Sequence, residues 1–227
     1  MRLLRRQIRI LIRMFKDWNS HTVFCRKRTV PSFSYGLRVE QPLLPSSTFA
    51  EKKYNLEYAG DRIRDYVILP GEVFSFWKAV GSPDKLRGSR CIRNGKVNIE
   101  KGGGLCQVAS VLFHLALMGG LKVVERYNHS VDLYGDGPRA CPLGLDATVC
   151  YGYKDLRILN TTDSILHFLL QTKEDSIQAV LQSSRPLKQR EIRMDEKRMD
   201  DVVVVQLKYA DSNELIVESI YRRYKEK

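Results

Sequence analysis

One cysteine stands where its sulfur could be made reactive. In the stretch Lys101-Gly-Gly-Gly-Leu-Cys106-Gln-Val-Ala-Ser110, three consecutive glycines run into Cys106. An almost wholly apolar segment follows, from Val108 to Met118, and stops at Gly119-Gly120. The pattern predicts a loop feeding the N-terminus of a buried helix, with Cys106 in its first turn. Glycines let a backbone turn sharply and approach a ligand closely. The free N–H groups and positive dipole end of a helix stabilise an anion. A thiolate is such an anion, so its pKa falls there and its reactivity rises. The plain alternative is an inert buried cysteine behind a glycine turn, a common use of both residue types.

A cysteine nucleophile needs a base, and the base needs a group to orient it. In chain order the sequence supplies His129 at the end of an expected strand, 121–126, and Asp146 at the head of another, 146–151. His129 would take the thiol proton, and Asp146 would fix the imidazole tautomer and favour the imidazolium. The N–H of Cys106, with Gln107 or the loop glycines Gly102, Gly103 and Gly104, could hold a substrate oxyanion. Such a set suits acyl transfer through a thioester. Cys, His and Asp in that order, with the cysteine heading a helix packed on a sheet, is the layout of papain-like and transglutaminase-like enzymes; this is an analogy of fold.

The remaining candidates are weaker. His114 lies inside the apolar helix, His167 in an apolar strand and His21 in a basic arm. Cys25, Cys91, Cys141 and Cys150 lack the close pairing of a zinc site, and the best metal set would join Cys106, His129 and Cys141, so no metal is expected. The glycine loop lacks the Lys-Ser/Thr pair of a nucleotide-binding loop, and no cofactor is expected. Its N–H groups could still hold a phosphate or carboxylate. That gives the competing reading, a non-catalytic accessory protein that binds an anionic precursor.

The elements that must position these groups read as α+β: helices first, then a run of strands forming an antiparallel sheet. Leu56, Ala59, Ile63 and Val67 predict a helix over 54–67. Strands are expected at 73–76, 156–159, 165–171 and 177–182, and a hairpin about Asn94-Gly95. Residues 26–50, with Pro31, Pro42 and Pro45, read as an irregular connector. Residues 188–201 read as a connector or a short solvated helix, and 202–209 with 214–221 as a final pair of strands. Three regions follow: a basic helix and connector (1–50), a central domain (51–185), and a charged connector with a C-terminal hairpin (186–227).

The 227 residues carry a net charge of +12. The excess is concentrated at the start, which implies an anionic partner. On a helical wheel Arg2, Arg5, Arg6, Arg9, Arg13 and Lys16 fall on one arc of residues 2–18. Leu, Ile, Phe and Trp side chains fill the other. Two uses are open: the helix lies in an anionic membrane interface, or its apolar face docks on the protein's own core. The run of arginines points to the membrane; nucleic acid comes third, since no recognition motif accompanies the charge. Five cysteines without a CxxC pair suit a reducing compartment. No apolar run reaches the roughly 20 residues of a spanning helix, and the N-terminus does not read as a signal peptide. The expectation is a cytoplasmic protein, peripheral on an anionic membrane surface.

Four ordered motifs carry a family resemblance. Pro70-Gly-Glu-Val-Phe-Ser-Phe76, Gly102-Gly-Gly-Leu-Cys-Gln107 and Glu125-Arg-Tyr-Asn-His-Ser130 are followed by Asp146-Ala-Thr-Val149 with Asp155-Leu-Arg157 and Asn160-Thr-Thr162. Over about residues 54–171 the chain resembles the VanW family, named from an accessory protein of vancomycin-resistance clusters. Some VanW domains are associated with L,D-transpeptidase activity on peptidoglycan through a cysteine nucleophile. The resemblance implies that role for Cys106, with His129 as its partner, on a peptidoglycan stem peptide or precursor. Trp77 stands where the family sequence has Asn.

Overall fold

The most apolar run of the sequence forms its most buried element. In the computed structural model, which describes residues 2–93, 96–132 and 137–223, helix α4 spans Leu105–Met118. Val108, Leu112, Leu115 and Ala116 are wholly inaccessible. A helix apolar on every side must be enclosed by other elements, and here a sheet, a second helix and a C-terminal layer enclose it. Truncating Leu112 to Ala would cost about 2–5 kcal/mol.

The elements in chain order are α1 (Arg2–Asn19), β1 (Arg26–Lys27), β2 (Tyr35–Pro42), α2 (Phe49–Ile63), β3 (Tyr66–Ile68), β4 (Val73–Ser75) and α3 (Phe76–Val80). Then come β5 (Gly88–Arg93), β6 (Lys96–Lys101), α4, β7 (Lys122–Glu125), β8 (Val131–Asp132) and β9 (Arg157–Leu159). The chain closes with β10 (Leu166–Thr172), β11 (Ser176–Ser183), β12 (Ile192–Arg198), β13 (Val202–Tyr209) and β14 (Leu215–Arg223). The main sheet has the order β1-β3-β10-β11-β2, all antiparallel, with α2 lying across β10 and α4 across β11 and β2. A second sheet, β12-β13-β14-β8, is antiparallel except where the two-residue β8 joins β14 in parallel. β4-β9-β7 form a small third sheet, and β5 pairs with β6. The class is mixed α+β. One hydrophobic core runs from β2 through α4 to Val203, Val205, Leu207 and Tyr221 of the C-terminal sheet.

Four local expectations need correction. The segment 26–50 holds an eight-residue strand, β2, paired along its whole length with β11. Its alternation puts Leu37, Val39 and Gln41 inward, and Pro42, which has no N–H to donate, sits at its last position. The helix expected at 54–67 spans Phe49–Ile63 instead; Val67, though buried, belongs to β3. Residues 146–149 form no strand. Finally, 188–201 contains β12, whose charges suit an edge position, where unpaired backbone must be kept from recruiting another chain. The Asn94-Gly95 turn, Gly135 of the following glycine- and proline-rich loop and the side chain of Arg2 lie outside the described residues. Among the described residues, no helix is long and apolar enough to cross a membrane.

Candidate active site

α4 starts at Leu105 with Gly104 as its N-cap, so Cys106 is the second residue of its first turn. No acidic side chain shares that turn to oppose a thiolate. The glycines are there because the loop has no room for side chains. A Cβ on Gly103 would lie 2.6 Å from the Ser89 carbonyl oxygen, and Gly104 has φ +98° against the Lys52 stem. Asn55 fastens the same loop, donating to the Gly103 and Arg87 carbonyls at 3.0 Å.

His129 follows β7 and turns back towards the helix. Its imidazole is within hydrogen-bonding reach of the Cys106 sulfur, while Nδ1 lies 2.6 Å from Oδ2 of Asp146. The His129 backbone N–H donates to the same oxygen at 2.7 Å, which fixes the ring and its partner as one unit. With Nδ1 facing a carboxylate, Nε2 is left to face sulfur. The structure therefore brings Cys106, His129 and Asp146 together, with His129 hydrogen-bonded to Asp146 and near enough to Cys106 for each to shift the other's charge.

Asp146 reaches that position without a strand ladder. Ser110, one turn along α4 from Cys106, donates to the Cys106 carbonyl at 2.7 Å and accepts from the Ala147 N–H at 2.9 Å. Thr148 N–H donates to the Tyr127 carbonyl at 2.7 Å. Residues 146–149 are thus clipped between the nucleophile's helix and the chain bearing the histidine. The Cys106 sulfur lies 3.8 Å from the Val149 carbonyl.

Two supporting residues had no assigned role in the sequence. Arg126 is buried against Asp146: Nη2 donates to Oδ1 at 3.0 Å and to the Gly144 carbonyl at 2.8 Å, and Nε to the Asp146 carbonyl at 2.7 Å. Tyr221, from β14, donates its hydroxyl to the same Oδ1 and accepts from Gly144 N–H. Arg126 was legible as part of the Glu125–Ser130 motif. Tyr221 carried no signal, because nothing in the sequence ties the last strand to residue 146.

Burial alone would raise the Cys106 thiol, but the hydrogen bond and charge of His129 outweigh it, and Cys106 titrates below an ordinary cysteine. Burial would likewise lower His129; Asp146 and then Cys106 reverse this and raise it to about 10. Burial opposes the Asp146 carboxylate too, yet His129, Arg126 and Tyr221 hold it below the usual carboxylate range. Both shifts favour the thiolate and imidazolium form of the pair, the form a cysteine nucleophile uses. Cys25 and Cys141 lie at the other extreme, with burial pushing each thiol up to about 12.

The other sequence candidates divide. The N–H groups of Gly102, Gly103, Leu105 and Gln107 donate to the carbonyls of Arg87, Glu100, Gly102 and Gly104, and the Gln107 side chain donates to Pro42 O at 2.8 Å. Loop and glutamine are thereby committed to holding the helix end in place. His167 is buried between Gln182 and the Arg64 carbonyl, a structural setting. His114 is half-buried, with burial lowering its pKa. Arg6, Arg9 and Arg13 face the domain, described below, whereas Arg5 and Lys16 are exposed.

Comparison with known proteins places the sequence in a family. Over 129 residues the chain is 32% identical to the vancomycin B-type resistance protein VanW of Enterococcus faecalis (strain ATCC 700802 / V583), covering 56% of this chain and 47% of that one. Over 118 residues it is 33% identical to YoaR, an uncharacterized protein of Bacillus subtilis (strain 168), covering 51% of this chain and 37% of the relative. The chain thus spans less than half the length of these curated relatives. No solved structure matches it. Residues 51–181, which hold Cys106, His129, Asp146 and Arg126 but not Tyr221, match the family described as VanW like protein, and the chain belongs to that family.

Proposed function

We propose that this chain is a cysteine-dependent acyltransferase or hydrolase acting on a peptidoglycan stem peptide or its precursor. The observation that carries the chemistry is the grouping of Cys106, His129 and Asp146 at the start of a buried helix, with His129 held by Asp146 beside the sulfur. In this reading the Cys106 thiolate attacks an acyl carbonyl, and the Cys106 N–H, at the open end of α4, faces the oxyanion. The imidazolium of His129 gives its proton to the leaving amine, and an incoming amine or water then releases the thioester. Asp146 holds the ring throughout. A buried helix headed by the nucleophile and packed on an antiparallel sheet supports an analogy with papain-like and transglutaminase-like enzymes. The substrate class rests on the family and on the resistance protein named among the relatives.

The competing accessory-protein reading needs the glycine loop to cradle an anion, and that loop's N–H groups are largely committed. Iodoacetamide labelling, resolved cysteine by cysteine by mass spectrometry, separates the two. Cys106 should react fastest of the five at pH 7, and His129→Ala should slow it at least about 100-fold. Uniform labelling of accessible thiols, unchanged in His129→Ala, leaves the accessory reading standing instead.

A further inference from the structure

The N-terminal helix docks by the face opposite to the one an amphipathic helix ordinarily buries. Arg6, Ile10, Arg13 and Asp17 are its partly covered positions, spaced four, three and four residues apart. Arg13 forms a two-pronged bond to Glu125, at 3.0 and 2.6 Å. Asp17 receives both prongs of Arg157, at 2.5 and 3.0 Å. Arg6 and Arg9 lie over the rings of Tyr151 and Tyr153. The polar side is therefore fastened to the domain, and Leu4, Ile8, Leu11, Ile12, Phe15 and Trp18 point away from it, each 47% to 75% exposed.

The geometry points to an anionic bilayer surface as the occupant of this stripe, with the docked arginines acting as a clamp rather than as the lipid contact. Exposed Arg5 and Lys16 border the stripe next to Ile12, where they would meet phosphate headgroups. Trp18 is placed for the interface. A second copy of the chain fits poorly. The helix has one acid, Asp17, already held by Arg157, so a partner helix would set like charges side by side without a counter-charge. Because the clamp rests on residues 151–157, just beyond Val149, the bilayer would lie one short segment away from Cys106. The inference rests on the helix alone and does not require the catalytic reading.

The test is flotation of the full-length chain with vesicles of phosphatidylcholine containing one part in three phosphatidylglycerol. The intact chain should float with them, and Leu11→Ser/Phe15→Ser/Trp18→Ser should weaken binding at least about 100-fold. Replacing the anionic lipid with phosphatidylcholine should cost at least about tenfold. Since the three substituted side chains are exposed, iodoacetamide labelling of Cys106 should match the parent in that variant, which distinguishes failed docking from misfolding. Trp18 emission in the parent chain should also shift to the blue with anionic vesicles. Flotation unaffected by the triple substitution or by loss of anionic lipid, an unchanged Trp18 spectrum, or a dimer that the triple variant turns into a monomer would each overturn the proposal.

Discussion

Two buried aspartates nine residues apart show what separates the candidate site from the clamp. Asp146 and Asp155 are 7% and 4% exposed, and for both the largest influence is the cost of burying charge. Their outcomes are opposite. Asp146 falls below the ordinary carboxylate pKa and Asp155 rises above it. Around Asp146 one carboxylate meets a guanidinium, an imidazolium and a phenol. Around Asp155 three carboxylates, Asp17, Glu125 and Asp155, share two guanidiniums, Arg13 and Arg157. The remaining donors to Asp155 are neutral: the Ser75 hydroxyl at 2.6 Å and the Trp77 and Leu156 N–H groups at 3.1 and 3.0 Å. Equal burial thus yields a fixed anion where cations predominate and a proton-binding joint where carboxylates do. The first can stabilise an imidazolium. The second can only hold elements together.

The largest effect should come from breaking the first cluster and sparing the second. Asp146→Asn removes the charge that favours the imidazolium, and the Cys106 alkylation rate at pH 7 should fall about 100-fold or more. Asp155→Asn should leave that rate within about twofold while loosening α3 and α1. Equal losses in the two variants would mean that both carboxylates act only through the fold. Next in size, Arg126→Ala strands the buried Asp146 charge and should cost about 3–5 kcal/mol in denaturant unfolding. Arg126→Lys restores the charge but cannot reproduce the guanidinium's hydrogen bonds to Ser219, Gly144 and the Asp146 carbonyl. It should therefore recover less than half of that loss.

What the sequence made legible was local. Cys106 could be placed because three glycines and an apolar run mark a helix start without reference to anything distant. His129 and Asp146 could be ordered but not located. Asp-Ala-Thr-Val has the composition of a strand, yet the segment is held by Ser110 and Tyr127, contacts across 37 and 21 positions that no periodicity encodes. The prolines around β2 masked a clean alternation of Leu37, Val39 and Gln41, and the charges of β12 concealed a strand because edge strands are charged for reasons unrelated to the core. The helical wheel found α1 but could not choose its buried face. That choice depends on Glu125 and Arg157, more than 100 residues away.

The aspartates should also differ in how stability depends on pH. Asp146 has a folded pKa below 3.8, so its contribution is present above the unfolded pKa and lost as pH falls through the folded value. Asp155 has a folded pKa above 3.8, so its contribution is complete below the unfolded pKa and lost as pH rises through the folded one. Urea unfolding between pH 3 and pH 7 should therefore show the destabilisation by Asp146→Asn growing with pH and that by Asp155→Asn shrinking. Parallel pH profiles would remove the distinction.

The smallest expected effect tests whether the C-terminal sheet belongs to the site. Tyr221 lies outside the family-matched residues 51–181, yet its hydroxyl bridges Asp146 and the Gly144 N–H. Tyr221→Phe keeps the buried ring and removes one donor and one acceptor, at a stability cost of about 1–3 kcal/mol. If β14 only covers the core, the alkylation rate of Cys106 should be unchanged and its pH dependence unmoved. If the phenol helps keep Asp146 ionised, as its contribution to the lowered carboxylate pKa indicates, the variant should lose some imidazolium. The rate at pH 7 should then fall a few-fold, with the midpoint of its pH profile moving towards an ordinary thiol. A shift in midpoint is the informative result, because loosened packing alone lowers stability without changing the charge that His129 faces.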